Sequence, residues 1–129
     1  MPLQIGTWKT NAGGTLGQLV IAGVDVGGNV AGTLTGLPGV SLTLGLGGYW
    51  DESSQRVTFL VDTSQEKGFP MESLVFTGYL FEDSVSVAGV TGSTIFTLAG
   101  FFSGFFVAST YGITALKSQG GWYAQIGVE

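Results

Sequence analysis

The sequence contains no cysteine and no histidine among its 129 residues. Without cysteine, a disulfide framework and a thiolate metal site are excluded. Without histidine, the chain lacks the commonest metal ligand and the commonest general base. The many serine and threonine hydroxyls therefore have no histidine to activate them as nucleophiles. We expect no cofactor and no bound metal.

Charged residues are also scarce, at 10% of the chain against about 25% in an average protein. Only four residues are Lys or Arg, and the net charge is −5. A nucleic-acid partner requires a basic patch that replaces counterions, so this class of partner is excluded. An anionic membrane surface is disfavoured for the same reason.

No segment predicts insertion into a membrane. The most apolar run, Thr94 to Ala108, is interrupted by glycine and serine and is shorter than the ~20 residues that a spanning helix needs. The first four residues lack the basic and apolar regions of a signal peptide. We expect a cytoplasmic protein if the chain is unprocessed, and a secreted one if a signal peptide was removed.

The abundant residues predict β-structure. Glycine occurs 23 times, and the string Asp25 to Asn29 supplies the glycine and asparagine that tight hairpins use. Val, Ile, Thr and Leu flank these turns and suit pleated strands. No stretch predicts a helix, and no repeat or linker marks a second domain, so we expect one all-β domain over residues 1–129.

Several strands are apolar on both faces. Leu19 to Val24 and Leu98 to Phe102 show no alternation with polar residues, which indicates that both of their faces are buried. One face of a barrel strand forms the core, and the other must meet something else. We expect a second copy of the chain, in a dimer or tetramer. The residues expected on this outer face are Phe101, Phe102, Phe105, Phe106 and Trp122.

The sequence predicts five strands after the opening hairpins and leaves two alternatives for one region. Strands are predicted at about 41–50, 56–62, 73–81, 93–102 and 122–129. Between 84 and 117, Val85, Val87 and Val90 form either a short extra strand or an extended loop, and 105–114 is either another strand or a long apolar loop.

Short strings along most of the chain resemble the avidin and streptavidin family. They are Gly6-Thr7-Trp8, Val30 to Leu34, Leu46 to Asp51, Phe76 to Tyr79 and Trp122 to Glu129. The resemblance implies an antiparallel up-and-down barrel of eight strands. It also implies a biotin site, in which polar side chains hold the ureido group and tryptophans form the walls.

The first loop departs from the family pattern of an Asn two residues after the Trp and a Ser four residues later. Without a gap these positions fall on Thr10 and Gly14. One extra loop residue would place them on Asn11 and Thr15, which are chemically similar. The alternative is that Asn11 is an ordinary turn residue.

Other family positions become apolar here. The Tyr that donates to the ureido oxygen corresponds to Leu34, and a hydroxyl residue of the sixth strand corresponds to Leu74. One wall tryptophan falls near Thr58 or Phe59, and another falls near Ala99 or Phe101. In the last strand Trp122 corresponds to the tryptophan that reaches into a neighbouring subunit, and Glu129 corresponds to the acid. The alternative is that Trp122 and Tyr123 are ordinary core or interface residues.

We therefore predict a self-associating, non-enzymatic barrel that binds a small apolar molecule other than biotin. The alternatives are biotin binding as in the family, and an assembly module whose barrel is filled. One enzymatic route also remains, the isomerisation or cyclisation of an apolar substrate with one carboxylate. The predicted ligand-binding residues are Trp8, Asn11, Thr15, Leu34, Phe59, Leu74, Phe76, Phe101, Trp122 and Glu129.

Overall fold

The computed structural model describes the backbone of residues 1–36, 43–62, 71–87, 90–108 and 113–128, and the side chains of 1–36, 43–62, 74–83, 94–104 and 119–127. Eight strands follow one another around a closed barrel, each antiparallel to its neighbours. The predicted up-and-down barrel is confirmed. The strands are β1 (Gly6–Ala12), β2 (Thr15–Val24), β3 (Asn29–Leu34), β4 (Leu44–Asp51), β5 (Arg56–Val61), β6 (Met71–Val87), β7 (Val90–Ala108) and β8 (Ile113–Val128).

Alternation along the strands places the core inside the barrel. In β5, Val57, Phe59 and Val61 are buried, and the residues between them face outwards. The same period of two continues in β6, where Leu74 and Phe76 are buried. Because side chains of a strand point alternately to opposite faces, a closed sheet encloses one set of them as its core.

The turn between β2 and β3 is built by the residues that predicted it. The Asp25 carboxylate accepts hydrogen bonds from the backbone N–H and the side-chain amide of Asn29, at 2.8 and 2.9 Å. Gly28 has a φ of 91°, which glycine adopts without steric cost. The turn therefore fixes the register of the hairpin formed by β2 and β3.

Glycines on the inner side allow neighbouring strands to approach closely. A Cβ atom on Gly32 would lie 1.9 Å from the backbone oxygen of Val20, and one on Gly100 would lie 1.9 Å from that of Thr77. No side chain fits at such a distance. At these two positions only glycine fits unless the neighbouring backbone moves.

Between residues 84 and 117, where the sequence left two alternatives, the described parts of the chain belong to long strands. β6 has 17 residues and β7 has 19, so Val85, Val87 and Val90 belong to these two strands and not to an extra one. Residues 105–108 continue β7, so the alternatives of a separate strand and of a long loop are both wrong for this part. The last strand begins at Ile113, earlier than predicted. The antiparallel ladder between β7 and β8 extends across most of this length.

The residues on the outer face of the barrel differ from those that were predicted to lie there. Phe101 lies outside the barrel, but Phe102 packs against the core and Trp122 is 4% exposed inside it. The side chains of Phe105 and Phe106 are outside the described ranges. The prediction was wrong for Phe102 and Trp122. Residues 101 and 102 have opposite parity and cannot face the same side of one strand.

Candidate ligand-binding interior

Six of the ten predicted ligand-binding residues lie inside the barrel. Each is at most 4% exposed. They are Trp8, Leu34, Phe59, Leu74, Phe76 and Trp122. Leu34 and Leu74 provide no hydrogen-bond donor, so the two positions that are polar in the family pattern are apolar in this interior. Ligand contact by these six residues stays a prediction.

Aromatic rings fill the middle of the interior. Phe59 and Phe76 stack with their ring centroids 4.9 Å apart, and Phe102 stacks on Phe76 at 5.3 Å. Trp122 meets Phe59 and Phe76 edge-on at 5.6 and 5.4 Å. Both arrangements are favourable for aromatic pairs and leave no space between the rings. We call these four residues the ring cluster.

The indole groups of two interior tryptophans already have hydrogen-bond partners. Trp8 Nε1 donates to the backbone oxygen of Gln4 at 3.1 Å. Trp122 Nε1 donates to the backbone oxygens of Thr77 and Phe101, both at 3.2 Å. These tryptophans therefore offer a ligand their ring surfaces and not their N–H groups. Trp122 lies inside its own barrel, so it is not placed as the tryptophan that enters a neighbouring subunit.

Thr10 is the one polar residue among the described side chains that is buried, at 4% exposure. Its hydroxyl has no hydrogen-bond partner among the residues that the structure describes. The other buried oxygen of this kind, Gln55 Oε1, belongs to the turn between β4 and β5, at the opposite end of the barrel. A buried hydroxyl without a partner costs about 1–3 kcal/mol, so Thr10 is a candidate contact for a ligand.

Asn11 and Thr15 do not form the polar pair that the gapped match predicted. Asn11 Oδ1 accepts a hydrogen bond from the backbone N–H of Gly14 at 2.9 Å, which fits the alternative of a turn residue. Thr15 is half-buried and pairs with Ala12 across the turn. Since Trp8 points inward, Thr10 must also do so, and counting residues from Trp8 would have identified it from the sequence.

Phe101 is 76% exposed, and its prediction as a wall of the interior was therefore wrong. The strand alternates, so the buried Leu98 places residues 100 and 102 inside and residue 101 outside. The aromatic residue that occupies the interior here is Phe102. The last candidate, Glu129, lies outside the described residues.

The carboxylates with perturbed pKa values lie at turns, and each is hydrogen-bonded. The Asn29 side chain holds the pKa of Asp25 below its ordinary value of 3.8. The hydroxyls of nearby serines do the same for Asp51. The pKa of Glu52 is lowered by the amino group of Met1 and the indole of Trp50. These groups favour the ionised state in water and do not face the core.

The described interior offers a substrate no carboxylate, because its buried residues are apolar apart from Thr10. Within the same ranges, no group of acidic residues could hold a metal ion. The described part of the chain also contains no helix long and apolar enough to cross a membrane. The chemistry of this interior is that of apolar contact with one hydroxyl.

Eight antiparallel strands in chain order around this core define an avidin-like barrel. The crystal structure of a rhizavidin–biotin complex is similar to this chain, with a TM-score of 0.63 and 18% sequence identity. The similarity covers 100% of this chain and 98% of the other, and it confirms the fold that the sequence resemblance implied. Comparison with protein-family models and with curated proteins gives no match.

Proposed function

We propose that this protein is a non-enzymatic barrel that binds a small, mostly apolar molecule in its interior. The observation that carries the proposal is the buried Thr10 hydroxyl, which has no partner within the described ranges and lies in a described core that is otherwise apolar. Such a group is stabilised by a ligand that supplies one hydrogen bond and apolar surface. The similar solved barrel holds a small molecule, biotin, which supports a binding role for this architecture.

We place the site beside Thr10, next to the ring cluster. Thr10 is two residues from Ala12, the last residue of β1, and pairs with Gly17 and Ala124, neither of which has a large side chain. The ring cluster is close to this position, since Trp122 pairs with Ala12. A ligand in this position therefore touches the hydroxyl and aromatic surface together.

Biotin is disfavoured as this ligand. The ureido group requires several donors and acceptors, and the interior presents Leu34 and Leu74 at two of the positions where the family pattern has hydroxyls. Each polar group left without its partner costs about 1–3 kcal/mol.

A matched pair of probes tests the proposal. Cyclohexanol and methylcyclohexane have nearly the same shape, but only the alcohol can pair with Thr10. We expect the wild-type protein to bind the alcohol about 2- to 10-fold more tightly, since one hydrogen bond contributes about 0.5–1.5 kcal/mol. In the variant Thr10→Val this preference disappears. Thr10→Ser, which keeps a hydroxyl, retains the preference. Tryptophan fluorescence reports the binding.

Native mass spectrometry of freshly purified protein complements the titration, because it detects a bound molecule whose identity is unknown. The proposal is wrong if neither probe binds and no small molecule accompanies the chain. That outcome would favour a second function, an assembly module with a filled barrel. The contacts within the ring cluster support this second candidate.

Under either function we propose that the chain self-associates. The described outer side of the barrel carries exposed large apolar residues on several strands, including Leu60, Phe81 and Phe101. Exposed apolar area of this kind favours contact with a protein surface. Sedimentation velocity over a range of concentrations tests the proposal, and a monomer at all of them would contradict it.

A further inference from the structure

Strand β6 continues past the end of its partner β5. β5 has 6 residues and β6 has 17. Their ladder ends at the pair Arg56–Tyr79, and one further backbone hydrogen bond joins the N–H of Leu80 to the oxygen of Gln55 at 2.9 Å. Among the residues that the structure describes, the part of β6 from 81 to 87 has no strand on this side. We call the β5-facing side of residues 81–87 the free edge.

The other side of this segment is paired. β7 runs beside it as far as the pair Val87–Val90, and β7 in turn pairs with β8 from Thr94 onwards. The segment is therefore a strand with one side satisfied and one side open. A barrel lacks edges only where each strand has two neighbours, so the unequal strand lengths leave an edge here.

The direction of the backbone groups on the free edge follows from Leu80. In an antiparallel sheet the N–H and C=O of one residue point to the same neighbouring strand, and those of the next residue point to the other. Leu80 points toward β5, so Glu82 and Ser84 present their N–H and C=O groups on the open side. Phe81 and Asp83 point toward β7, with which they pair. The free edge thus offers donors and acceptors at the spacing of an extended chain.

The side chains at the start of the free edge are acidic. Glu82 and Asp83 are both exposed, and their carboxylates lie on opposite faces of the strand because the two residues are adjacent. Charges at an edge oppose pairing with a strand of like charge. The chain has nine acidic and only four basic residues, and an edge-to-edge pair of two copies would bring both pairs of carboxylates into one short ladder. A second copy is therefore disfavoured at this edge, whereas a basic segment is complementary to it.

We propose that the free edge is a docking site for an extended, basic segment of another protein, which adds as an antiparallel strand beside residues 81–87. In strand addition of this kind, backbone hydrogen bonds supply affinity and side chains supply specificity. The backbone groups of Glu82 and Ser84 serve the first purpose, and the carboxylates of Glu82 and Asp83 select Lys or Arg opposite them. The edge lies outside the barrel interior, so the inference does not depend on the ligand proposed there.

Hydrogen exchange of the wild-type protein tests whether the edge is free. At dilutions where the chain is monomeric, we expect the amides of Glu82 and Ser84 to exchange at least about 10-fold faster than those of Phe81 and Asp83, because only the latter donate within the sheet. Equal protection of all four amides would contradict the proposal, since another segment would then already cover the edge.

A capped peptide of the same length as the free edge tests the partner. It alternates threonine and valine and carries a pair of adjacent lysines opposite Glu82 and Asp83. With glutamates in place of the lysines, we expect binding at least about 10-fold weaker, since each attraction becomes a repulsion. Methylation of the peptide nitrogens that face β6 should also weaken binding at least about 10-fold, because the donors are lost. Isothermal titration calorimetry measures the constants. If the lysine peptide does not bind, or binds no better than its methylated form, strand addition is wrong.

Ser84→Pro and Ser84→Ala locate the contact on the protein. Proline removes an N–H of the open side and leaves the ladder with β7 intact, as edge strands allow, whereas alanine keeps this N–H. We expect Ser84→Pro to weaken binding of the lysine peptide at least about 10-fold, and Ser84→Ala to leave the constant within about twofold. In the wild-type protein, which requires no variant to fold, the bound peptide should slow exchange at Glu82 and Ser84. Protection elsewhere, without a change at these two amides, would overturn the assignment of the site.

Discussion

Phe76→Ala is expected to lower the free energy of unfolding by about 4 kcal/mol, within the range for large-to-small changes of buried aromatic residues. Phe76 is fully buried and contacts the other three members of the ring cluster. Its removal leaves Phe59, Phe102 and Trp122 around a void that the rigid barrel cannot collapse to fill. Urea unfolding followed by circular dichroism measures the change.

Phe81→Ala is the matched control for this prediction. Phe81 is the same residue type on the same strand, but it is 58% exposed. At dilutions where the chain is monomeric, its replacement should change the free energy of unfolding by no more than about 0.5 kcal/mol. Similar losses in the two variants would show that the ring cluster is not the centre of the core.

Gly32→Ala is expected to cost about 3 kcal/mol, at the upper end of the usual range for overpacking. The added methyl group would lie 1.9 Å from the backbone oxygen of Val20 on the neighbouring strand. Backbone cannot rotate away as a side chain can, so β2 and β3 must separate. The loss is measured by urea unfolding at neutral pH.

Gly45→Ala provides the comparison, because a Cβ at Gly45 would meet nothing within 4 Å. Alanine restricts the unfolded chain, so this variant should be more stable than the wild type by about 0.5 kcal/mol. If Gly32→Ala were tolerated as well as Gly45→Ala, close strand approach at Gly32 would not be a requirement of the barrel.

The sequence predicted the architecture because turns and strands left separate signals. Glycine and asparagine marked the turn at Asp25 to Asn29, and β-branched residues marked the strands beside it. Strand ends in β6 and β7 were harder to predict. Gly104 resembles an interruption in the sequence, but in the barrel it is an inward-facing ladder residue opposite Ser118. In the sequence, a glycine inside a strand cannot be distinguished from a glycine at the end of a strand.

The site was predicted less completely, and the reason is register. A shift of one residue moves a side chain to the other face of the sheet. The gapped match selected Asn11, but the inward residue is Thr10. Phe101 and Phe102 are adjacent and are the same residue type, so the composition gave no sign of which of them faces inward. The structure resolves these cases because burial of Trp8 and Leu98 fixes the parity of β1 and β7.

Calorimetric titration with biotin tests the central claim most directly, namely that this avidin-like barrel has an apolar interior unsuited to the ligand of its structural neighbour. The ring cluster occupies the middle of the interior, and the two positions without donors, Leu34 and Leu74, should together cost about 2–6 kcal/mol of binding free energy in addition. We therefore expect no biotin binding tighter than micromolar. A submicromolar dissociation constant would contradict the account.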